Sequence, residues 1–124
     1  MARPTIEAVF DTSILIDYLL GRDEAQREFD RYSRRAISIV TWIELQTGAR
    51  TDAEADVIDL FLREFRVIEI TRQVARRAVE IRRRTHVRLS DAIIWATAQM
   101  ESAQLVTRNT KDFPKDDPAI RVPY

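Results

Sequence analysis

Residues 6–17 read Ile6-Glu-Ala-Val-Phe-Asp-Thr-Ser-Ile-Leu-Ile-Asp17. The apolar run Ile6–Phe10 predicts a short buried strand, and the spacing of apolar residues after it predicts a helix over Ser13–Leu20. Gly21 follows this helix directly, at the position where glycine is the preferred residue. Asp11 is therefore predicted to lie where the strand ends and the helix begins.

Strand and helix patterns alternate along the rest of the chain. Further strands are predicted at Ala36–Val40, Val67–Ile70, Gln104–Thr107 and Ile120–Val122. Helices are predicted at Asp23–Arg34, Thr41–Thr47 and Asp52–Phe65, and in two segments capped by Thr71 and Ser90. This alternation predicts an α/β fold, a parallel sheet with helices on both faces.

Several side chains with carboxylate or amide oxygens follow the predicted strands. Asp11 follows the first, Glu44 the second, and Asn109 and Asp112 the fourth. Ligands of open parallel sheets bind beyond the carboxyl ends of the strands. Asp91 opens the helix that leads into strand four, and the sequence brings it to this edge only if an earlier loop carries it there.

A cluster of these carboxylates requires a cation. Two carboxylates about 4 Å apart in a protein-like medium repel each other by roughly 4 kcal/mol, so several are tolerated together only with protons or bound metal. Magnesium prefers charged oxygen ligands. The sequence therefore predicts an acidic metal pocket formed by Asp11, Glu44, Asp91 and Asp112.

Each acid also has a purely structural interpretation, and these alternatives stay open at this point. Asp11 or Ser13 is a suitable helix cap, and Thr41–Glu44 matches the capping box. A carboxylate in the first turn, such as Asp91, is stabilised by the helix dipole. Asp112 is suited to cap a turn before Pro114.

Composition excludes several classes of protein. The chain has 124 residues, which predicts a single domain over residues 1–124, and it has no cysteine and one histidine, His86. Disulfides, thiolate nucleophiles and multi-histidine zinc sites are therefore excluded. We expect no membrane segment and a cytoplasmic location, because no apolar stretch is long enough to span a bilayer and no export signal is present.

Net charge is zero, but the basic residues are unevenly distributed. Seven arginines and one acid, Glu80, lie between Arg72 and Arg88. The arginines are at positions 72, 76, 77, 82, 83, 84 and 88. This imbalance allows one basic face for nucleic acid or a partner on an otherwise neutral molecule.

Four segments, in this order, together resemble a known family. They are Val9–Asp17, the helix around Glu44, Leu89–Ala98 and Leu105–Phe113. The chain resembles PIN-domain ribonucleases, and most closely the VapC-type toxins of bacterial toxin–antitoxin pairs. The resemblance spans nearly the whole chain.

The resemblance implies a three-layer fold around a five-stranded parallel sheet of order 3-2-1-4-5. It also implies Mg²⁺ or Mn²⁺ held by Asp11, Glu44 and Asp91, with Ser13 and Thr12 bracing the site. Many relatives have a fourth acid at the position of Asn109, so Asn109 and Asp112 are alternative sources of the fourth ligand.

The implied activity is endonucleolytic cleavage of RNA by a metal-activated water. Arg108 and Lys111 are then predicted to guide the RNA backbone. The implied partners are a cognate antitoxin that blocks the site and a second copy of the chain in a homodimer. The apolar residues of Leu15–Leu20 and of the Asp52–Phe65 helix are candidate contact surfaces.

Two alternatives from other classes are weighed against this one. A receiver-type signalling domain is also a small acidic α/β protein that binds magnesium, but it requires an aspartate after strand three, and Val67–Thr71 has none. A catalytically silent PIN-like scaffold that binds RNA or protein is compatible with Asn109.

Overall fold

A computed structural model of the protein describes residues 7–124, so Ile6 lies outside the described residues. The strands are β1 (Glu7–Phe10), β2 (Arg34–Ser38), β3 (Arg66–Ile68), β4 (Gln104–Val106) and β5 (Ile120–Arg121). The helices are α1 (Thr12–Leu19), α2 (Asp23–Asp30), α3 (Ile39–Thr47), α4 (Asp52–Leu62), α5 (Arg72–Arg84) and α6 (Leu89–Met100).

The five strands form one sheet in the order β3-β2-β1-β4-β5, and every neighbouring pair is parallel. In the central strand, Val9 aligns with Ala36 on one side and Leu105 on the other. The predicted α/β fold and strand order are confirmed. Receiver domains have the order 2-1-3-4-5, so the signalling alternative does not fit this sheet.

Successive residues of the strands pack on opposite faces of the sheet, as the two-residue period of a strand requires. Val9 packs in the cluster that includes α5 and α6, whereas Ala8 and Phe10 pack in the cluster that includes α1, α2 and α4. All three side chains are fully buried. Burial on both faces explains why β1 is an uninterrupted apolar run.

The boundary between β2 and α3 differs from the prediction. β2 ends at Ser38, and α3 begins at Ile39 rather than at Thr41. Ser38 is the N-cap, and its hydroxyl accepts a hydrogen bond from the Val40 backbone N–H at 3.0 Å. Thr41 is therefore inside the helix, and the capping-box interpretation of Thr41–Glu44 is wrong.

Among the other predicted helix ends, those at Thr71 and Gly21 agree with the structure and the one at Ser90 differs. Thr71 caps α5 as predicted, since its hydroxyl accepts a hydrogen bond from the Val74 N–H at 3.1 Å. Gly21 follows α1 with a φ of +83°, a conformation that favours glycine. Ser90, in contrast, is the second residue of α6, and Arg88 occupies its N-cap position.

The position of Asp91 follows from the direction of α6. Because β1 and β4 are parallel, the helix that leads back into β4 begins at the edge where β1 ends. Asp91 is in the first turn of that helix. It therefore reaches the carboxyl edge without the help of an earlier loop, contrary to our expectation.

None of the helices within residues 7–124 has the length and apolar character needed to cross a bilayer.

Candidate active site

Asp11 is held by hydroxyl groups from two separate segments. It follows β1, is 4% exposed, and its Oδ2 accepts hydrogen bonds from Ser13 Oγ at 2.7 Å and Thr107 Oγ1 at 2.8 Å. Its backbone occupies the N-cap position of α1, but the carboxylate makes no capping hydrogen bond. The simple capping interpretation of Asp11 is therefore wrong, and the carboxylate is oriented by its neighbours.

Glu44 is connected to the same region through Thr12. The Thr12 hydroxyl donates to Glu44 Oε1 at 2.6 Å and lies 3.1 Å from the Thr41 hydroxyl. Thr12 therefore contacts Glu44, whereas Ser13 contacts Asp11. Sequence reasoning assigned Thr41 only to a cap, because its contact with Thr12 joins residues 29 positions apart.

Arg88 lies between two of the predicted site acids. Its Nη2 is 3.3 Å from Asp91 Oδ2 and 3.4 Å from Asp112 Oδ2. Asp91 is buried, whereas the Arg88 side chain is 72% exposed. Sequence reasoning placed Arg88 in the basic segment and not in the site; the signal was its spacing of three residues from Asp91.

Asn109 positions Asp112. The Asn109 Nδ2 donates to Asp112 Oδ2 at 2.9 Å, and Asn109 Oδ1 accepts from the Asp112 backbone N–H at 3.4 Å. The backbone N–H of Asn109 donates to Thr107 Oγ1 at 2.9 Å, and the same hydroxyl donates to Asp11. These contacts tie the segment after β4 to Asp11.

Arg108 and Lys111, the predicted RNA contacts, have different environments. Arg108 pairs with Asp17 through two hydrogen bonds, Nε to Oδ2 at 2.6 Å and Nη2 to Oδ1 at 3.1 Å. Tyr124 also donates to Asp17 Oδ2 at 2.6 Å. The guanidinium of Arg108 is thus already bound within the chain, while Lys111 is exposed and lines a cavity next to Asp112.

The acids lie close enough to change one another's protonation. Burial, the negative charge of Asp11 and a hydrogen bond with Asp112 together raise the pKa of Asp91 to about 6. The hydrogen bond from Asn109 lowers the pKa of Asp112. The charges of Asp91, Asp112 and Glu44 all raise the pKa of Arg88. Asp91, Asp112 and Glu44 therefore act on Arg88, and Asp11 acts on Asp91.

The donor set fits a small, hard divalent cation. Across residues 7–124, no three acidic or histidine side chains lie close enough together to enclose a metal ion. Magnesium does not need such a cage, because it commonly binds one or two carboxylates and keeps several waters. Asp11 and Asp91 provide two buried carboxylates, and burial together with the charge of Asp11 raises the pKa of Asp91. The ligand set predicted from sequence stays a prediction.

Comparison with known protein families matches residues 8–116 to the PIN domain. The chain belongs to the PIN domain family. This PIN domain is 37% identical over 113 residues to Ribonuclease VapC10 of Mycobacterium tuberculosis, and the match covers 84% of each chain. The resemblance drawn from the four sequence segments is confirmed.

Solved structures show the same fold. This PIN domain matches a chain of a toxin-antitoxin complex from Klebsiella pneumoniae with a TM-score of 0.88 and 41% identity, covering 94% of this chain and 98% of that chain. A chain of VapBC2 from Rickettsia felis, bound to a DNA fragment from their promoter, matches with a TM-score of 0.78. Its identity is 23%, over 93% of this chain and 96% of that chain, so it supports the fold alone.

Proposed function

We propose that the chain is a metal-dependent endoribonuclease that acts in the cytoplasm as the toxin of a toxin–antitoxin pair. The observation that carries the proposal is the pair of buried acids, Asp11 and Asp91, at the carboxyl edge of a PIN-domain sheet. The 37% identity to Ribonuclease VapC10 and the 41% identity to a chain of a toxin–antitoxin complex support it.

Asp11 and Asp91 are the residues that would hold Mg²⁺ or Mn²⁺, with Glu44 and the Asn109–Asp112 pair beside them. When bound, the cation lowers the pKa of water and stabilises negative charge on the phosphate. Ser13 and Thr107 fix the orientation of Asp11, because both donate to the same carboxylate oxygen. Thr12 does the same for Glu44.

Asp112 is the acid best suited to accept a proton from the attacking water. The hydrogen bond from Asn109 keeps its pKa low, so Asp112 stays ionised, and its side chain is only partly buried. Asp91 is less suited, because as one of the two proposed metal ligands its carboxylate would be occupied by the cation.

Arg88 partly neutralises the negative charge of the acids and is exposed enough to contact RNA. Its guanidinium pairs with Asp91 and Asp112, yet most of the side chain is exposed. A guanidinium binds phosphate as well as carboxylate. With a cation held by the acids, the exposed Arg88 guanidinium would be free to bind the phosphate at the cleavage position.

The partner surface that we propose for the antitoxin is the apolar groove between α1 and α4. Leu19, Val57 and Ile58 line this groove, which has a volume of about 380 Å³. Val57 and Leu60 on α4 are 62% and 65% exposed. Exposed apolar residues grouped in this way mark contact surfaces. The homodimer implied by the resemblance stays a prediction.

Cleavage of structured RNA by the purified chain, with Mg²⁺ or with a chelator, tests the proposed reaction. Asp11→Asn and Asp91→Asn are each expected to lower the cleavage rate by at least about 100-fold, because they remove a charged ligand. Asp56→Asn, an exposed acid on α4, is the matched control and leaves the rate unchanged. Equal RNA loss with and without chelator would instead support the silent scaffold.

A further inference from the structure

The exposed side of α5 carries three arginines that the active site does not use. Because an α-helix has 3.6 residues per turn, Arg72, Arg76 and Arg83 project within roughly 40° of one another around its axis. All three side chains are exposed. The buried residues of the helix lie on the opposite side, and they are Val74, Ala78 and Ile81. We call the three exposed residues the α5 arginine face.

The guanidinium groups of this face are free to bind a ligand. Across residues 7–124, none of the three forms an ion pair or a side-chain hydrogen bond, whereas other arginines of α5 do. Arg77 pairs with Glu80, the one acid of the helix, with Nη1 and Oε2 2.9 Å apart. Arg82 donates to the Val87 carbonyl at 2.7 Å. The α5 arginine face therefore keeps its full positive charge.

The stability of the helix does not account for the two arginines in its first half. Arg72 is the first residue after the Thr71 cap, and the first turn contains no acid. The positive end of the helix dipole repels a cation at this position. Arg72 and Arg76 are also four residues apart, and like charges at this spacing destabilise a helix. Arg83, in the last turn, is favoured by the dipole. Arg72 and Arg76 are therefore unfavourable for the fold alone, which indicates a role in binding.

The loop after α5 connects this face to the active site. Residues 85–87 separate the helix from Arg88, which pairs with the site acids. The loop is fixed, because the Thr85 hydroxyl donates to the Ile81 carbonyl at 2.7 Å and accepts from the Val87 N–H at 3.3 Å. The 13 residues of α5 correspond to a length of about 20 Å. RNA that lies along α5 would therefore extend well beyond the phosphate bound at Arg88.

We propose that the α5 arginine face is a second RNA-binding surface, which holds the phosphate backbone of the substrate outside the cleavage position. The inference rests on the proposed function, since it extends the RNA contacts of the same enzyme. A guanidinium binds phosphate through two parallel hydrogen bonds, and each such contact releases counterions from the RNA. Contacts to the backbone provide affinity and carry no base preference.

The composition of the face favours RNA over a segment of a protein partner. Protein interfaces are usually anchored by buried aromatic and apolar side chains. Val79 is the one exposed large apolar residue of α5, and the helix contains no aromatic residue. The exposed apolar residues suited to a protein partner are instead grouped on α1 and α4, among them Ile16, Val57 and Leu60.

The salt dependence of RNA binding in chelator tests the proposal without cleavage. The probe is a fluorescein-labelled single-stranded RNA, and its anisotropy is followed between about 50 and about 200 mM NaCl. Combining Arg72→Gln, Arg76→Gln and Arg83→Gln is expected to weaken binding at least about 10-fold at the lower salt. The slope of log affinity against log salt should become shallower by about 2, because three phosphate contacts are lost. An unchanged slope overturns the proposal.

Single variants separate a phosphate contact from an effect of net charge. Arg76→Gln should make the slope shallower by about 0.7, and Arg76→Lys should keep the slope of the parent, because the charge remains. Arg27→Gln, on α2, is the matched control, since Arg27 is exposed and forms no ion pair within residues 7–124. It should leave the slope unchanged. Equal effects of Arg76→Gln and Arg27→Gln contradict the proposal.

Thermal unfolding separates binding from a structural role. Arg72→Gln and Arg76→Gln are expected not to lower the melting temperature, because each removes a charge that the helix dipole and the neighbouring arginine disfavour. A lower melting temperature of both variants would show that these arginines serve the fold, and it would contradict the proposal.

Cleavage kinetics and co-expression complete the test. With Mg²⁺, the combined variant is expected to raise the KM for RNA about 10-fold and to leave kcat nearly unchanged, because the lost contacts are remote from the cleaved phosphate. A combined variant that binds RNA like the parent but escapes relief by the antitoxin would assign the face to a protein partner and overturn the proposal. Failure of the parent to cut RNA contradicts the proposed function instead, whereas RNA binding in chelator tests the α5 arginine face independently.

Discussion

Asp91 is buried among like charges, and this position connects the protonation of the site to the stability of the fold. Its pKa rises from an ordinary value near 3.8 to about 6, through burial and the charge of Asp11. The folded chain therefore keeps a proton that the unfolded chain loses. The contribution of protonated Asp91 to the unfolding free energy is fully present below about pH 4 and is lost as the pH rises through 6.

We expect Asp91→Asn to remove most of this pH dependence. In chelator, the parent chain should lose up to about 3 kcal/mol of unfolding free energy between pH 4 and pH 7.5 as Asp91 ionises. The neutral Asn cannot ionise, so the variant should lose less. Urea unfolding at the two pH values measures the difference.

An exposed acid provides the control for this experiment. Asp116→Asn should follow the parent, because Asp116 is solvent-exposed. Mg²⁺ at pH 7.5 should raise the melting temperature of the parent and not of Asp91→Asn, since the metal neutralises the same charge. The interpretation fails if Asp91→Asn and the parent show the same pH dependence.

At the scale of the elements, Asp17 joins α1, the segment after β4 and the end of the chain. Arg108 and Tyr124 donate to its carboxylate, and Arg22 lies 3.4 Å away. Burial alone raises the pKa of Asp17, but the hydrogen bonds from Arg108 and Tyr124 outweigh it and lower the pKa. The junction positions the segment that carries Asn109 and Asp112.

Asp17→Asn is expected to lower the unfolding free energy by about 2 kcal/mol, because it leaves Arg108, whose side chain is 43% exposed, without its charged partner. Because the pKa of Asp17 is lowered in the folded chain, the contribution of ionised Asp17 to the unfolding free energy is present above about pH 4 and is lost as the pH falls. Thermal unfolding at pH 7 measures the loss.

The cleavage rate of Asp17→Asn should also decrease, since Asp112 is held by the anchored segment. Asp56→Asn, far from the junction in sequence and exposed, is the control. An unchanged melting temperature of Asp17→Asn would show that the junction does not stabilise the fold.

At the scale of the whole molecule, the basic surface and the apolar surface lie on different helices. Exposed arginines lie along α5, and the exposed apolar residues of α4 lie beside the groove with α1. An antitoxin bound at the groove and RNA bound at Arg88 would therefore contact different side chains.

Expression of the chain alone is expected to arrest bacterial growth, and co-expression of its antitoxin should relieve the arrest. Val57→Asp should still arrest growth but escape relief, because it places a charge in the apolar groove. Met100→Asp, at the exposed end of α6, is the matched control and should be relieved like the parent. Unhindered growth at high expression of the folded parent would count against the toxin assignment.

Several predictions failed because local patterns are ambiguous. Ile39 and Val40 are β-branched and apolar, so they suit a strand as well as a buried helical turn. The Ser38 cap decides between them, and the sequence does not show which of several suitable residues is the cap until the first residue of the helix is known. Ser90 is likewise a suitable cap by residue type, but Arg88 occupies the N-cap position of α6.

The sequence by itself determined the alternation of strands and helices, the family, and the acids that follow the strands. These features repeat at fixed short intervals along the chain or lie within short motifs, so they are visible without coordinates. Only the tertiary structure decided that Arg88 lies between Asp91 and Asp112, that Asp17 binds Arg108, and that Trp95 lines a cavity. Most such contacts join side chains far apart in sequence, up to 107 residues for Asp17 and Tyr124, and they depend on how the layers pack.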